Sequence, residues 1–269
     1  MIYKLEDMFP MDLDNLIEEG KDVAVLPIGS VEQHGPHLLL GCDSFITQAL
    51  ADCTAEYSGG VLFPMVPLSW IGGLRVWPGT IDIRSKNMGN YLEEVCMNIL
   101  NMGFKKLLLV NGHGGGREMV YSVASRVFKR TGIPVLAIFT GQVQRVYPEI
   151  RKVWQEYGLN DPSSYEASAM LGGIKKYGKT ELLEKAKRLI WEAVEEFGEP
   201  NTQFEPPSLR KVFEISEVGH DYLSETMHVR PRADANADAG LAYIEAMAKK
   251  LADAIRKLDE HQRQIKNEE

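Results

Sequence analysis

Short apolar runs alternate along this chain with longer stretches in which apolar residues recur at helical spacing. Short runs between turn residues are typical of buried strands, and the longer periodicity is typical of amphipathic helices. Strands are predicted at residues 23–28, 61–66, 106–110 and 133–139. The alternation predicts β–α units, which favour an α/β fold around a largely parallel central sheet.

Helical periodicity fills the intervals between and after these runs. Helices are predicted at residues 43–56, 86–102, 117–129, 165–177 and 180–197, and from residue 237 onward. Segment 198–229 shows no clear period, and we predict irregular structure there. No internal repeat or linker divides the pattern, so a single domain over residues 1–269 is predicted.

Charge and cysteine usage narrow the function classes. The formal net charge is −8 and no dense lysine or arginine block offsets it, which argues against a nucleic-acid or anionic-membrane partner. The three cysteines lack CxxC spacing, so no disulfide framework is expected. There is no signal-peptide pattern, and no run approaches the roughly 18 apolar residues of a membrane span. A cytoplasmic protein is predicted.

Polar side chains follow the first predicted strand. Glu32 and His34 come shortly after it, with His37 close by and Asp43 at the start of the next helix. In extended backbone Glu32 and His34 point to the same side, because the side-chain period is two. Carboxylate and imidazole ligands suit Zn, Mn or Fe(II). Asp43 has two oxygens and could bridge a pair of ions.

A second candidate cluster follows the strand at 106–110. Asn111-Gly112-His113 ends this strand, and three glycines lead into the next predicted helix. Glycine lets the backbone approach a ligand closely, and free N–H groups at a helix N-terminus offer an anion or oxyanion site. Both clusters lie at the ends of predicted strands, where open α/β sheets bind their ligands.

Each of the two clusters can also be explained without a metal site. A single histidine is more often a hydrogen-bonded core or surface residue than a metal ligand, and the Glu-Gln-His triplet at 32–34 could be turn chemistry. The Asn-Gly-His-Gly-Gly-Gly sequence at 111–116 could bind phosphate without a metal. The residues alone therefore support a metal site and these explanations about equally.

Three segments carry a resemblance to a known family. They are LPIGSVEQHGPHL at residues 26–38 with Asp43 beyond it, the WPGT turn at 77–80, and NGHGG at 111–115. In these segments the chain resembles the creatininase (creatinine amidohydrolase) family. The resemblance implies a three-layer α/β sandwich, a homo-oligomer and a binuclear centre of zinc, manganese or iron.

The resemblance also implies roles for individual residues. Glu32 and His113 would hold one ion, His34 the other, and Asp43 would bridge the two. A metal-bound hydroxide would attack a carbonyl carbon in a polar ring or a formamide. His37 is expected to form a hydrogen bond beside the ligands and so to help orient them.

Several positions depart from the family pattern. Creatinine-cleaving members carry a glutamate ligand where this chain has Gly115, and many others read HGGN where it has Gly116. A later HAG-x-x-ETS stretch corresponds to residues 161–168, in which Asp161 replaces the histidine and Glu166 persists. Glu166 is therefore the candidate for the missing metal ligand or for the general base. The alternative is a structural carboxylate at a helix N-terminus.

Substrate contacts are predicted in three places. The candidates are Trp70, Arg75 and Trp77 around the WPGT turn, Gly114 and Gly115 beside His113, and His228 in the late HVRPR sequence. Tryptophan and arginine can frame a flat or polyhydroxylated ring, although a loop tryptophan packs structurally at least as often. The segment around His228 could recognise an anion or contact another subunit.

One function is favoured over two rivals. The favoured function is hydrolysis of a C–N amide bond in a small, polar, cyclic substrate. The first rival is C–C cleavage, as in hydrolases that open a diketo-inositol ring (3-dehydro-scyllo-inosose type), and the absence of the glutamate at position 115 points that way. The second rival is a non-catalytic binding or maturation protein on the same fold, which would hold no metal.

Overall fold

Parallel strands form the central sheet of this protein. The computed structural model describes residues 2–72, 78–161, 164–197 and 231–268. Within these ranges the strands are β1 (Tyr3–Lys4), β2 (Val23–Ile28), β3 (Val61–Leu62), β4 (Lys106–Asn111) and β5 (Val135–Phe139). They lie in the order β1-β3-β2-β4-β5 and every pairing is parallel. The predicted α/β fold with a parallel sheet is confirmed.

The described part of the chain also contains nine α-helices. They are α1 (Pro10–Glu18), α2 (Cys42–Ser58), α3 (Ser85–Asn101), α4 (Arg117–Thr131), α5 (Thr140–Val146), α6 (Arg151–Glu156), α7 (Tyr165–Lys176), α8 (Thr180–Phe197) and α9 (Ala237–Glu268). Not one of these described helices combines the length and the apolar character that crossing a membrane requires.

Helices cover both faces of the sheet. Side chains alternate between the two faces along a strand. In β2, Val23 and Val25 join one buried cluster, and Ala24, Leu26 and Ile28 join the other. The first cluster packs against α2, α7 and α9, and the second against α1, α3 and α4. The predicted three-layer sandwich is confirmed, and burial on both faces explains why the strands read as continuous apolar runs.

Some elements differ from the prediction. Strand β3 ends at Leu62 rather than Val66, because Pro64 has no N–H to donate, and Val66 rejoins β2 by a single bridge to Ile28. Strand β1 and helices α1, α5 and α6 were missed: β1 is too short to show alternation, and α1 buries none of its residues completely. The irregular structure predicted for 198–229 lies outside the described residues.

The register of the two central strands brings the candidate residues together. Ile28 at the end of β2 pairs with Asn111 at the end of β4. Helix α2, which follows β2, packs on one face of the sheet, whereas α4, which follows β4, packs on the other. The two loops therefore diverge above adjacent strands and leave a crevice, the usual ligand-binding position in open α/β sheets.

Candidate metal centre

Glu32 and His34 lie in the loop that follows β2. Both are only 2% exposed. Their loop is held by a hydrogen bond from the Glu32 amide to the carbonyl of Leu40 (2.8 Å) and by one from the Gln33 amide to Thr80 Oγ1 (3.1 Å). His34 Nε2 lies 3.8 Å from Glu32 Oε1. The two side chains therefore point to the same side of the loop, as expected.

Asp43 reaches the same volume from the first turn of α2. Its Oδ1 lies 3.6 Å from His34 Nε2, and its Oδ2 accepts a hydrogen bond from the Ser30 hydroxyl (3.0 Å). The helix dipole favours a carboxylate in this position, and the Ser30 contact orients it. Ser30 is not among the predicted site residues, although it lies inside the string at 26–38.

His113 comes from the loop after β4. Its Nδ1 lies 2.9 Å from Glu32 Oε2 and 3.4 Å from Asp43 Oδ2. The side-chain amide of Asn111 donates a hydrogen bond to the backbone carbonyl of His113 (2.7 Å), which holds the loop. Glu32, Asp43 and His113 thus form a first donor group, whose ligand atoms lie within 4.8 Å of one another.

A second donor group shares Asp43 with the first. Glu166, in the first turn of α7, places Oε1 3.6 Å from His34 Nε2. These three residues and the buried Cys42 form the second group, within the same 4.8 Å limit. The Glu166 side chain is 40% exposed, so this group lies nearer to solvent. Cys42 is not among the predicted site residues, because an isolated cysteine carries no spacing signal.

The donor atoms fit a pair of divalent ions. Imidazole, carboxylate and thiolate are ligands of zinc, and the first two also suit Mn and Fe(II). Ligands about 2.0–2.2 Å from one zinc ion lie roughly 3–4 Å from each other. The donor pairs given above are separated by 2.9 to 3.8 Å. A carboxylate common to both groups is what a bridged pair requires.

Charge and burial act in opposite directions on the histidines. Burial by itself lowers the pKa of His34, but the charges of Asp43, Glu166 and Glu32 raise it to about 10. Burial also lowers the pKa of His113, and hydrogen bonds to Asp43 and Glu32 again raise it to about 10. The site therefore favours bound positive charge.

The pKa values of two carboxyl groups in the site, Asp43 and Glu166, are shifted in opposite directions. Burial alone would raise the pKa of Asp43, but His34 and His113 hold it well below its usual range. Burial, together with the charges of Asp43 and Glu32, raises the pKa of Glu166 to about 7, although His34 opposes the rise. Glu166 is thus the carboxyl that titrates near neutral pH.

Two glycines of the loop at 112–116 lie too close to other atoms for a side chain to fit without a shift. A Cβ at Gly112 would overlap Thr47 Oγ1 of α2, and a Cβ at Gly115 would overlap His113 Nε2. Gly112 therefore lets the loop approach α2, and Gly115 leaves room for the imidazole. A glutamate at position 115 would require the ring of His113 to move. In this chain Glu166 is the glutamate of the second donor group.

Three predicted substrate-binding residues, Arg75, Trp77 and His228, lie outside the described residues. Trp70 is described, and it packs against the core on the α3 and α4 face of the sheet. It is half-buried there, and its contact with a substrate stays a prediction. Gly114 and Gly115 are exposed beside His113, as a contact with substrate would require.

His37 differs from the expectation. It is 2% exposed, and in the described residues neither ring nitrogen has a hydrogen-bond partner. The expected hydrogen bond to the ligands is therefore not observed. Burial and the nearby charge of His34 lower the pKa of His37 to about 4, so its imidazole is neutral near neutral pH.

Asp161, which stands where the family pattern has a histidine, belongs to an ion-pair network. It pairs with Arg232 (3.0 Å), which also pairs with Asp234 (3.0 Å). The Ser164 hydroxyl donates to Asp234 (2.7 Å). These contacts tie the start of α7, and hence Glu166, to the segment that leads into α9.

Comparison with known families agrees with this geometry. The family model named creatininase, described as creatinine amidohydrolase, matches residues 6–172. This chain belongs to the creatininase family. The matched range contains both donor groups, and the members found by comparison are named as hydrolases or peptidases.

The curated relatives of this chain are named for different activities. The chain is 32% identical over 114 residues to a 3-dehydro-scyllo-inosose hydrolase from Thermotoga maritima (40% of this chain, 35% of that protein). It is 24% identical over 174 residues to a creatinine amidohydrolase from Pseudomonas putida (58% and 65%). It is 33% identical over 102 residues to a mycofactocin precursor peptide peptidase from Mycolicibacterium smegmatis (36% and 41%). The chain thus spans between 35% and 65% of the lengths of these relatives.

Solved creatininases share the fold. A creatinine amidohydrolase structure superposes with a TM-score of 0.73 at 18% identity, covering 95% of this chain and 97% of that one. A manganese creatininase gives 0.71 at 19% identity (96% and 98%), and a zinc–zinc form of a mutant gives 0.73 at 18% (96% and 98%). These likenesses agree with the three-layer architecture of the described residues.

Proposed function

We propose that this protein is a hydrolase that uses two divalent metal ions to cleave a C–N amide bond in a small, polar, cyclic substrate. The observation that carries the proposal is the pair of buried donor groups that share Asp43. Two relatives support the choice of bond, because an amidohydrolase and a peptidase both act on C–N bonds. Zinc, manganese and iron all suit the donors, and solved relatives contain manganese or zinc.

Each donor group is proposed to hold one ion. Glu32 and His113 would hold the first, His34 and Glu166 the second, and Asp43 both. The bound ions would supply Lewis-acid activation of a water molecule and of the substrate carbonyl. The Ser30 hydroxyl keeps Asp43 oriented through its hydrogen bond, and Gly115 gives the His113 ring its space.

Glu166 has two alternative roles: it binds the second ion, or it stays off the ion and acts as the general base. The pKa of about 7 belongs to the metal-free site, and it suits the second role, in which Glu166 would accept and return a proton near neutral pH. Its 40% exposure leaves the side chain accessible to substrate. His37 is the weaker base, because its pKa is lowered to about 4. It is 2% exposed and so out of reach of a substrate, and its proposed role is to help orient the ligands once ions are bound.

The second candidate is C–C hydrolysis of a diketo-inositol ring. It is supported by the similarity to a 3-dehydro-scyllo-inosose hydrolase and by Gly115, which replaces the glutamate of creatinine-cleaving members. For either reaction we also propose a homo-oligomer in the cytoplasm, as the family resemblance and the sequence imply.

The metal centre is tested by measuring bound metal after reconstitution with Mn²⁺ or Zn²⁺. We expect two equivalents in the wild type and loss of both in Asp43→Asn. Asp52→Asn is the matched control, since Asp52 is also buried in α2 but accepts hydrogen bonds from Gln48 and Tyr177. Two retained equivalents in Asp43→Asn would refute the bridging role.

The cleaved bond is tested with the metal-loaded protein and substrates of both classes. Hydrolysis of a cyclic amide exposes a new amine or releases ammonia together with an acid. Opening of a diketo-inositol ring yields an acid without either. An acid product formed only from the second class would replace the C–N proposal with the C–C one.

A further inference from the structure

Cys42 is the first residue of α2, directly before Asp43, and it is completely buried. Its Sγ lies within 4.8 Å of one donor atom from each of the three other members of the second donor group: His34, Asp43 and Glu166. The other two cysteines of the chain, Cys53 and Cys96, belong to neither donor group. Of the three sulfurs, only that of Cys42 therefore lies at the candidate centre.

The position of this sulfur fits a bond to an ion held by His34 and Asp43. Zinc bonds of about 2.3 Å to sulfur and about 2.1 Å to nitrogen place two tetrahedral ligands roughly 3.6 Å apart. His34 Nε2 and Asp43 Oδ1 are already separated by 3.6 Å. The 4.8 Å limit for the Cys42 Sγ exceeds the ideal separation by only about 1 Å. A small movement of the side chain is enough to complete the bond.

Charge also favours a thiolate at this position. The carboxylates of the two donor groups, from Glu32, Asp43 and Glu166, carry three negative charges, whereas two divalent ions carry four positive charges. Buried charge is costly unless it is paired, and a Cys42 thiolate would supply the fourth negative charge. The N-terminus of a helix also stabilises a thiolate.

The Cys42 thiol keeps its proton in the metal-free protein. Burial, and after it the charge of Glu166, raises the pKa of this thiol well above its usual range. A coordinated metal ion deprotonates a thiol outright. The bond to sulfur would therefore form only together with metal binding.

We propose that the Cys42 thiolate is a ligand of the second ion, together with His34 and Asp43, and that this ion is zinc. Thiolate is a soft ligand that selects zinc over manganese. Three protein ligands and one open position are the usual arrangement of catalytic zinc, so Glu166 would stay off the ion and act as the general base. This inference rests on the proposed two-metal hydrolase and decides between the two roles of Glu166.

Cobalt(II) distinguishes a thiolate from the other donors. Co²⁺ occupies zinc sites, and a sulfur–cobalt bond gives an intense near-ultraviolet charge-transfer band that nitrogen and oxygen ligands do not give. The full chain would be loaded with Co²⁺, and bound cobalt would be measured by elemental analysis alongside the absorption spectrum. We expect two equivalents and the charge-transfer band. Two equivalents without the band overturn the role of Cys42 alone, and no bound cobalt overturns the proposed metal centre as well.

Cysteine variants assign the band to one sulfur. Cys42→Ser should abolish it, and so should Cys42→Ala, which keeps an apolar side chain in the core. Cys53→Ser is the matched control, because Cys53 is also buried in α2 but lies outside both donor groups, and it should keep the band. A band that persists in both Cys42 variants overturns the proposal.

The choice of zinc is tested by the Zn²⁺ and Mn²⁺ affinities of the second site, measured by competition with a chelator. Cys42→Ser should lower the Zn²⁺ affinity at least about tenfold, since residues that only orient a ligand already contribute that much. The Mn²⁺ affinity should fall much less. Equal losses for the two ions would show that Cys42 only packs in the core, and would overturn its role as a ligand.

Glu166→Ala tests whether Glu166 stays off the ion. Its side chain is 40% exposed, so the truncation should be tolerated by the fold. The variant should keep both cobalt equivalents and the charge-transfer band. Loss of one equivalent would make Glu166 a ligand and overturn the set of three.

Discussion

Asp43 is the single residue common to both donor groups. Its Oδ1 faces His34 and its Oδ2 faces His113, at 3.6 and 3.4 Å. The Ser30 hydroxyl donates to Oδ2, and this contact selects the orientation in which both oxygens are presented. Residues that orient ligands in this way contribute to metal affinity without touching the ion.

Ser30→Ala should therefore weaken metal binding by about 10–100-fold. The variant should still fold, because only one hydroxyl is removed. The measurement is a competition titration against a fluorescent chelator with Zn²⁺. Ser58→Ala, at the far end of α2, is the control and should match the wild type. An unchanged affinity in Ser30→Ala would show that Asp43 needs no such support.

Metal affinity should increase with pH. The pKa values of His34 and His113 are raised from 6.5 to about 10 in the metal-free protein, so an ion that binds must displace their protons. Each displaced proton makes the apparent affinity rise about tenfold per pH unit below that pKa. Calorimetry at pH 7 in buffers of different ionisation enthalpy measures the protons released. A binding enthalpy that does not depend on the buffer would contradict this assignment.

The same raised pKa values make the metal-free fold less stable as the pH rises, whereas they make metal affinity increase. A raised histidine pKa stabilises the folded state fully below pH 6.5, and this contribution is lost as the pH rises through about 10. Metal affinity increases over the same interval, so dependence of the fold on bound metal should grow with pH.

At the scale of elements, the position of Glu166 depends on how α7 packs against α9. A Cβ at Gly172 would overlap the backbone of Leu241, and one at Gly240 would overlap the carbonyl of Ser168. The two helices therefore touch backbone to backbone. The Ser168 hydroxyl also accepts a hydrogen bond from the Asn236 amide (3.0 Å).

Gly240→Ala should destabilise the protein by about 1–3 kcal/mol, because overpacking forces the helices apart. Gly89→Ala is the matched control: Gly89 is also inside a helix, but its Cβ would meet nothing closer than 3.6 Å. That control should be neutral or stabilising by up to about 1 kcal/mol. Urea denaturation measures both, and equal effects would argue against the close α7–α9 contact.

At the scale of the whole molecule, the candidate centre joins elements that are distant in the chain. Its residues come from the loop after β2, the start of α2, the loop after β4 and the start of α7. Ions bound there would cross-link both halves of the sandwich core, because α2 and α7 pack on one face and the His113 loop leads to α4 on the other.

Removal of metal should therefore lower the melting temperature. Ligand present at 100 times its Kd stabilises the fold by about 2.7 kcal/mol, and a chelator abolishes that contribution. Differential scanning calorimetry with and without EDTA measures the effect. Asp43→Asn should be insensitive to EDTA, and an insensitive wild type would show that metal does not support the fold.

The sequence by itself predicted the α/β fold with a parallel sheet and placed four candidate ligands after the ends of two strands: Glu32, His34, Asp43 and His113. These features depend on local properties: apolar runs, helical period and polar residues directly after a strand. The family resemblance also singled out Glu166, which the structure places beside His34. The elements missed, β1, α1, α5 and α6, are short or lack a buried stripe, so their patterns carry little local signal.

Only the tertiary structure decided how these pieces meet. A side chain at position 115 would require the His113 ring to move, and Glu166, brought from α7, completes the second donor group. A cavity beside Asp43 and Glu166 is lined by both Gln144 of α5 and Tyr243 of α9, about a hundred positions apart in the sequence. Such contacts depend on how helices pack across the sheet, and periodicity shows which face of a helix is apolar but not which element covers it.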